Sequence, residues 1–217
     1  MTRITQEREL MLTVKTLPVG PFQANSFLLK CSDTGVGAIV DPGDEDELIL
    51  ELVERDSVEI KYILLTHAHV DHVGALKPVK DATGARILMN EGDKFLLESV
   101  GAQALSFGLK VEGGSEIDVL VKDGDVFEFG KLEIKIIHTP GHSPGGVCYL
   151  IGKSVFVGDT LFAGSIGRTD LPGGSYDTLI SSITEKLLPL GDDIEVFTGH
   201  GPATTLGEEK LTNPFLR

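Results

Sequence analysis

The sequence predicts an α+β domain in which two β-sheets lie together with helices packed outside them. Three observations carry this reading. Short apolar or alternating runs recur along the chain as strands do. A few longer stretches carry apolar residues on one side only, at helical spacing. The 217 residues show no internal repeat, low-complexity tract or Pro/Ser-rich linker, and that length suits one domain with a substantial core.

The elements follow in order. Strands are predicted at 12–16, 26–30 and 37–41, the last closing on the turn Asp41-Pro42-Gly43. Asp44, Glu45, Asp46 and Glu47 then open a helix, with negative charge at the positive end of its dipole. Leu48, Ile49, Leu52 and Val53 give that helix its apolar face. A buried strand over 60–65 runs into a histidine cluster, and a helix over 74–82 leads to a strand at 86–89. The stretch 91–107 reads as helix in two pieces broken at Gly101, its apolar residues either roofing a pocket or packing a dimer. Further strands are predicted at 126–129, 132–137, 147–151 and 154–157, with hairpin turns at Gly130-Lys131 and Gly152-Lys153. A helix over 176–188 with Leu179, Ile180, Ile183 and Leu187 on one face precedes a strand at 194–198. The chain then closes on a short helix and Asn213-Pro214-Phe215.

Composition excludes some classes of function. Lys+Arg number 19 and Asp+Glu 33, for a formal charge of −14. Nucleic-acid affinity comes mainly from counterion release by basic side chains, so a nucleic-acid partner is not expected. Residues 1–12 are too polar for a secretory signal, and no apolar run approaches membrane-spanning length. Cys31 and Cys148 lie far apart in strand-like runs, without metal-ligand spacing, and read as core residues. A reduced, cytoplasmic setting fits these features.

The chemistry is concentrated in Thr66-His67-Ala68-His69-Val70-Asp71-His72, directly after a buried strand. Four metal-capable side chains fall within six residues there. His67 and His69 can face one way while Asp71 and His72 face another, which supplies two adjacent ion sites. Imidazole nitrogen and carboxylate oxygen suit zinc, and a catalytic site keeps a position open for water. A solvated polar loop is the bland alternative, but three of only six histidines lie here. Three further segments share one design, a strand, a glycine and a candidate ligand: Gly141-His142, Gly158-Asp159 and Gly199-His200. Such glycines let backbone approach a crowded centre. Five histidines and two aspartates suit two divalent ions with one carboxylate between them.

With these residues in view, the sequence resembles the metallo-β-lactamase superfamily over nearly its whole length. The cluster His67-x-His69-x-Asp71-His72 and the later His142, Asp159 and His200 arrive in that family's order. The resemblance implies an αββα sandwich with the site at one edge. It also implies that His67, His69 and His142 hold one metal, that Asp71, His72 and His200 hold the other, and that Asp159 bridges them. Asp71 and Asp159 are the carboxylates given catalytic roles. The ions are expected to be zinc, with iron or manganese as alternatives.

Within the superfamily the chain resembles the glyoxalase II group, which hydrolyses acylglutathione thioesters. The commonest β-lactamases lack the last histidine of the cluster and carry cysteine where Asp159 stands. Flavodiiron proteins carry glutamate at the place of His69. The runs Gly158-Asp159-Thr160-Leu161-Phe162 and Gly199-His200-Gly201-Pro202 resemble glyoxalase II. Residues 167–174 and the ending Asn213-Pro214-Phe215-Leu216 resemble its short bacterial branch. Two departures stand out: the C-terminal helical domain of full-length glyoxalase II has no counterpart, and Gly146 stands where relatives often carry histidine. The expectation is a single domain over residues 1–217, a monomer or homodimer, acting on a small thioester such as S-lactoylglutathione through attack by a metal-bridging hydroxide. A lactonase with the same ligands and a single-iron persulfide dioxygenase are the enzyme alternatives. A structural metal module is disfavoured by a ligand set without cysteine.

Three residues carry two readings each. Arg168, nine residues past Asp159, is expected from the resemblance to contact a substrate carboxylate, with an ion pair to Asp170 as the alternative. His138 reads as a satisfied core histidine or a neighbour of the ligands. Asp41 either orients the metal loop or simply forms an Asp-Pro-Gly turn.

Overall fold

The computed structural model describes residues 12–111 and 115–217. The segment at 1–12 that reads as too polar for a secretory signal lies, apart from Leu12, outside the described residues. The first half of the chain builds one sheet from β1 (Leu12–Val19), β2 (Ala24–Cys31), β3 (Val36–Val40), β4 (Glu59–Leu64), β5 (Arg86–Asn90) and β6 (Val119–Val121), hydrogen-bonded in that order. β1, β2 and β3 pair antiparallel; β3, β4, β5 and β6 pair parallel. The parallel crossovers carry α1 (Asp46–Arg55), α2 (Val70–Val73), α3 (Leu76–Thr83), α4 (Lys94–Glu98) and α5 (Val100–Ser106).

The second half builds the other sheet from β7 (Val126–Phe129), β8 (Leu132–His138), β9 (Val147–Ile151), β10 (Ser154–Gly158), β13 (Glu195–Thr198) and β14 (Thr204–Thr205). Its neighbours pair antiparallel except β10 with β13. A small ribbon of β11 (Leu161–Phe162) and β12 (Ser165–Ile166) follows β10, while α6 (Tyr176–Ser182) and α7 (Leu206–Thr212) complete the chain.

Three apolar clusters make this a four-layer αββα sandwich. Phe27, Leu29, Tyr62 and Leu64 of the first sheet meet Phe129, Ile134, Tyr149 and Phe156 of the second in the central layer. Leu28, Ile39, Ile63 and Ile87 point the other way, towards the helices of the first half. Cys148, Val155 and Val157 do the same towards α6 and α7. A strand covered on both faces reads as a continuous apolar run, and this explains why residues 27–29 of β2 and 62–64 of β4 lack alternation. Cys31 and Cys148 are both buried and unbridged.

Several expectations are corrected. Leu48 is 45% exposed, so the buried face of α1 is Ile49 with Leu52 and Val53. The break in 91–107 falls at Ser99, and Gly101 lies inside α5; a 3-10 turn at Glu91–Asp93 precedes α4. Strand β6, Val-Leu-Val, is an addition to the predicted strands, too short to show a pattern of its own. The helix from Tyr176 leaves α geometry after Ser182 for a π turn at Ile183–Leu187, with Pro189 beyond it, although Leu179, Ile183 and Leu187 remain buried together. The two expected hairpins at Gly130-Lys131 and Gly152-Lys153 join β7 to β8 and β9 to β10.

Candidate metal centre

The ligand-capable side chains leave the ends of strands at one edge of the sandwich. The segment after β4 carries His67 and His69, and α2 carries Asp71 and His72. The loop after β8 carries His142, the end of β10 leads into Asp159, and the end of β13 leads into His200. Carboxyl ends of strands are where sheets of this kind display functional groups. The structure brings all seven residues together. His67, His69 and His142 form one group and Asp71, His72 and His200 another, with ligand atoms inside each group within 4.8 Å of one another. Asp159 lies between them. Its Oδ2 stands 3.6 Å from His142 Nε2, while its Oδ1 stands 3.4 Å from His72 Nε2 and 3.6 Å from His200 Nε2.

Hydrogen bonds at the far side of the rings set which nitrogen faces the centre. His72 Nδ1 lies 3.0 Å from Asp41 Oδ2, His142 Nδ1 2.8 Å from the Arg168 carbonyl, and His200 Nδ1 3.2 Å from the Phe22 carbonyl. Carboxylates and carbonyls only accept, so each of these Nδ1 atoms donates and each Nε2 presents its lone pair when the ring is neutral. Thr66 extends the pattern. Its hydroxyl donates to Asp41 Oδ2 at 2.5 Å and so is left to accept from His67 Nδ1 at 3.1 Å. His69 is the exception, turning Nδ1 towards His142 Nε2 at 2.9 Å.

Electrostatics agree with a cation at the centre. Burial, then the neighbouring imidazoles, holds His67 well below the usual histidine value, and the same causes bring His69 down to about 4. For His72 burial pulls down, but Asp159 and Asp71 outweigh it and drive the value well above normal. His200 is likewise raised by Asp71 and Asp159 against burial. Burial alone would raise the Asp71 and Asp159 carboxyls, yet the surrounding histidines hold both below the ordinary range. This carboxylate pair therefore demands positive charge beside it, which a divalent ion supplies as well as a proton does. His67 Nε2, His72 Nε2 and Asp159 Oδ1 are buried without any hydrogen-bond partner. Orphaned buried polar atoms are rare in folded proteins, and these three are ligand atoms facing one another. The donor set fits divalent metal ions.

Buried residues brace the site from behind. Asp41, 1% exposed and in the left-handed region at φ 47°, accepts from the Thr66 amide at 2.7 Å as well as from Thr66 Oγ1 and His72. Its orienting reading is the one the structure shows, since an ordinary turn would not bury a carboxylate at a strained φ. Asp93, fully buried, was not singled out from the sequence. Its Oδ2 accepts from the Ala68 amide and the Ser143 hydroxyl, and its Oδ1 from the Gly145 amide at 2.6 Å, so it ties the two ligand loops together. Burial pushes its carboxyl upward. The only signal was a carboxylate just past a buried strand, easily taken for a helix start. Asn25, which carried no signal at all, donates to the carbonyls of Thr198 and Gly201 at 2.9 Å each and holds the His200 turn.

The glycines divide in role. A Cβ on Gly199 would lie 2.2 Å from Asp159 Oδ1, so this position does require close backbone approach to the centre. A Cβ on Gly141 would instead strike the backbone of Leu179, which makes that glycine a packing contact with α6. His138 stands apart from the ligands; its Nε2 pairs with the Pro144 carbonyl at 3.0 Å. Arg168 lines the cleft in front of the ligands, but its guanidinium holds Asp170 through two contacts of 2.7 Å. This is the ion pair weighed as the alternative to a substrate contact.

The cleft itself measures about 610 Å³. Its floor is His69, Asp71, His142, Asp159 and His200, and Phe22, Phe95, Phe107, Leu171 and Pro172 stand around them. Helices α4 and α5 thus roof the pocket, one of the two placements the sequence left open.

An αββα sandwich with this histidine and aspartate set at its edge defines a class, and comparison agrees. Residues 19–200 match the metallo-β-lactamase superfamily, and the chain belongs to it. Among its relatives is a protein of Haemophilus influenzae named hydroxyacylglutathione hydrolase GloC, 44% identical over 94% of this chain and 98% of that one. The crystal structure of the BLEG-1 B3 metallo-β-lactamase superposes with TM-score 0.88 at 37% identity, covering 94% of this chain and 99% of that one. A further protein, solved in a di-iron-bound form, superposes with TM-score 0.86 at 39% identity, covering 94% and 100%. Among the described residues, no helix is long and apolar enough to cross a membrane.

Proposed function

We propose that the protein is a hydrolase of small acyl thioesters, the class to which acylglutathiones such as S-lactoylglutathione belong. Two divalent ions per chain serve it, zinc first and iron or manganese as alternatives. The observation that carries the reading is the set of orphaned ligand atoms on His67, His72 and Asp159 within a seven-residue cluster. In this reading His67, His69 and His142 would hold one ion and Asp71, His72 and His200 the other, with Asp159 as the carboxylate that would be shared between them. When bound, such ions make a coordinated water nucleophilic near neutral pH and polarise a carbonyl oxygen.

The chain's own part is positioning. Asp41, Thr66 and the carbonyls of Phe22 and Arg168 keep four imidazoles in the tautomer that binds metal. Outside the ligand residues, the described side chains of the cleft offer no uncommitted hydroxyl or amide donor to a leaving group. Ser99, Gln103 and Ser106, the hydroxyl and amide side chains among the described residues of the cleft, donate to Leu96, Ser99 and Gln103. An amide nitrogen cannot leave without a proton. A thiol with a pKa of about 8.5, as for cysteine, can leave as thiolate, which favours thioesters. The name of the Haemophilus influenzae relative supports the same class. The buried, unbridged cysteines fit a cytoplasmic setting, and the net charge of −14 fits a small-molecule partner rather than nucleic acid.

The test is elemental analysis of purified protein followed by assay against thioesters, lactones and a persulfide with oxygen uptake recorded. The expected result is about two metal equivalents per chain, with thioester turnover and no oxygen consumption. One equivalent of iron, full activity and oxygen uptake would establish the dioxygenase instead.

A further inference from the structure

The walls of the cleft differ sharply from its floor. Phe22, Phe95 and Phe107 are 39%, 44% and 59% exposed, and all three open onto the ligand cluster. Phe22, on the β1–β2 connection, meets Phe107, just past α5, edge to face at 5.0 Å. Phe95 on α4 faces the segment of Leu171 and Pro172, its ring 3.6 Å from where a Cβ on Gly173 would sit. Large apolar side chains left in water at one place mark a surface that binds something.

Charge tells what that something lacks. A tripeptide thiol such as glutathione brings two carboxylates, and each calls for a cation or a set of free donors. Among the described residues lining the cleft, Arg168 is the one lysine or arginine, and Asp170 occupies it bidentately. The Asp71 and Asp159 carboxylates lie on the floor. Gln103 accepts from the Val70 amide and donates to the Leu96 carbonyl and to Ser99, so it is committed too. The wall therefore offers dehydration of apolar surface and little for an ionised group.

Resting on the thioester reading above, we propose that the cleft selects its substrate by an uncharged apolar group packed on Phe22, Phe95 and Phe107, and not by the ionised ends of a peptide thiol. The reaction balances as simple hydrolysis: the water oxygen bonds to the acyl carbon, the C–S bond breaks, and the thiolate takes the proton released. A second copy of the chain is the rival occupant of the aromatic patch. Substrate is favoured because the patch is continuous with the ligand cluster inside one cavity.

The experiment compares S-lactoylglutathione with the lactoyl thioester of an uncharged arylalkyl thiol, on metal-loaded protein. The variants are Phe95→Ser with Phe107→Ser, and Arg168→Ala. Binding of the matching thioethers, which cannot be hydrolysed, is measured by calorimetry, and oligomeric state by light scattering. The neutral thioester is expected to have the higher kcat/KM. The ratio of kcat/KM, neutral over charged, should fall at least about tenfold in the double phenylalanine variant and change less than about threefold in Arg168→Ala. A ratio favouring glutathione that collapses on Arg168→Ala overturns the proposal. So does a phenylalanine variant that keeps the ratio but turns a dimer into a monomer. If neither thioester is cleaved, yet the apolar thioether binds and weakens in the phenylalanine variant, the thioester reading falls and the apolar selection stands.

Discussion

On the first sheet's side of the centre, four ligands lie on one short segment, His67 to His72, and two buried carboxylates brace it: Asp41 behind Thr66 and His72, Asp93 behind Ala68. On the second sheet's side, His142, Asp159 and His200 leave three separate strands. There the two histidines are braced by main-chain carbonyls, Arg168 for His142 and Phe22 for His200. The first arrangement depends on side chains and can be dismantled by single substitutions. The second turns its imidazoles on main-chain acceptors, which side-chain changes at the same residues leave in place, although Asp93 and Asn25 also hold its loops. One centre is thus half chemically specified and half topologically specified.

The largest effect should come from the residue that faces both groups. Asp159→Ala removes the oxygens that look towards His142 and towards His72 and His200. Metal content by elemental analysis should drop at both positions and turnover should nearly vanish, with the circular dichroism spectrum kept. Retention of two equivalents would remove Asp159 from its bridging place. Next come the bracing carboxylates. Asp41→Asn and Asp93→Asn each turn an amide N–H towards groups that themselves donate, and loss of such partners costs about 10–100-fold in metal affinity or activity. The Asp93 variant should weaken chiefly the ion at His67, His69 and His142, whereas the Asp41 variant should weaken the ion at His72 and, through Thr66, the one at His67 as well. A two-step metal titration separates them, and identical titrations for both variants would show that the two carboxylates do not serve the two ions differently. The smallest effects belong to the second side. Arg168→Ala keeps the carbonyl that His142 uses, so metal content should stay at the wild-type level. His138→Ala loses the hydrogen bond to Pro144, worth about 0.5–1.5 kcal/mol in a melting experiment, and should keep activity within a few-fold. A metal-free Arg168 variant, or a dead His138 variant, would show side chains mattering where the backbone was held responsible.

The same contrast decides what the sequence makes readable. His67 to His72 stand out because side-chain ligands sit together in a string, and the repeated glycine-ligand ends of strands expose His142, Asp159 and His200. Strands covered on both faces, such as β2 and β4, read as strands because each carries a continuous apolar stretch, 27–29 in β2 and 62–64 in β4. Asp93 and Asn25 are hard to read because their partners are distant in sequence and mostly backbone atoms, 25, 50 and 52 positions away for Asp93 and 173 and 176 for Asn25. No local pattern encodes such a pairing. The break at Ser99 was misplaced for a related reason: glycine is tolerated inside a helix that packing holds, and Gly101 meets nothing that excludes it. Arg168 was placed in the right cleft, but its pairing with Asp170 depends on side-chain direction, which spacing does not encode.

The two sheets are joined at the site edge by main-chain contacts, the Val147 amide to the Thr66 carbonyl and the Asn25 amide to the Gly199 carbonyl, while the buried Tyr149 hydroxyl donates to the Leu65 carbonyl. Opening the sandwich there must pull His67 and His72 away from His142 and His200, so no state with separated sheets keeps a complete ligand set. Mass action then makes whatever occupies the centre a clamp on the whole fold. An occupant at a hundred times its dissociation constant adds about 2.7 kcal/mol to the work of unfolding, and stripping it with a chelator returns that sum. The melting temperature of this protein is thereby a gauge of metal supply, readable without any substrate.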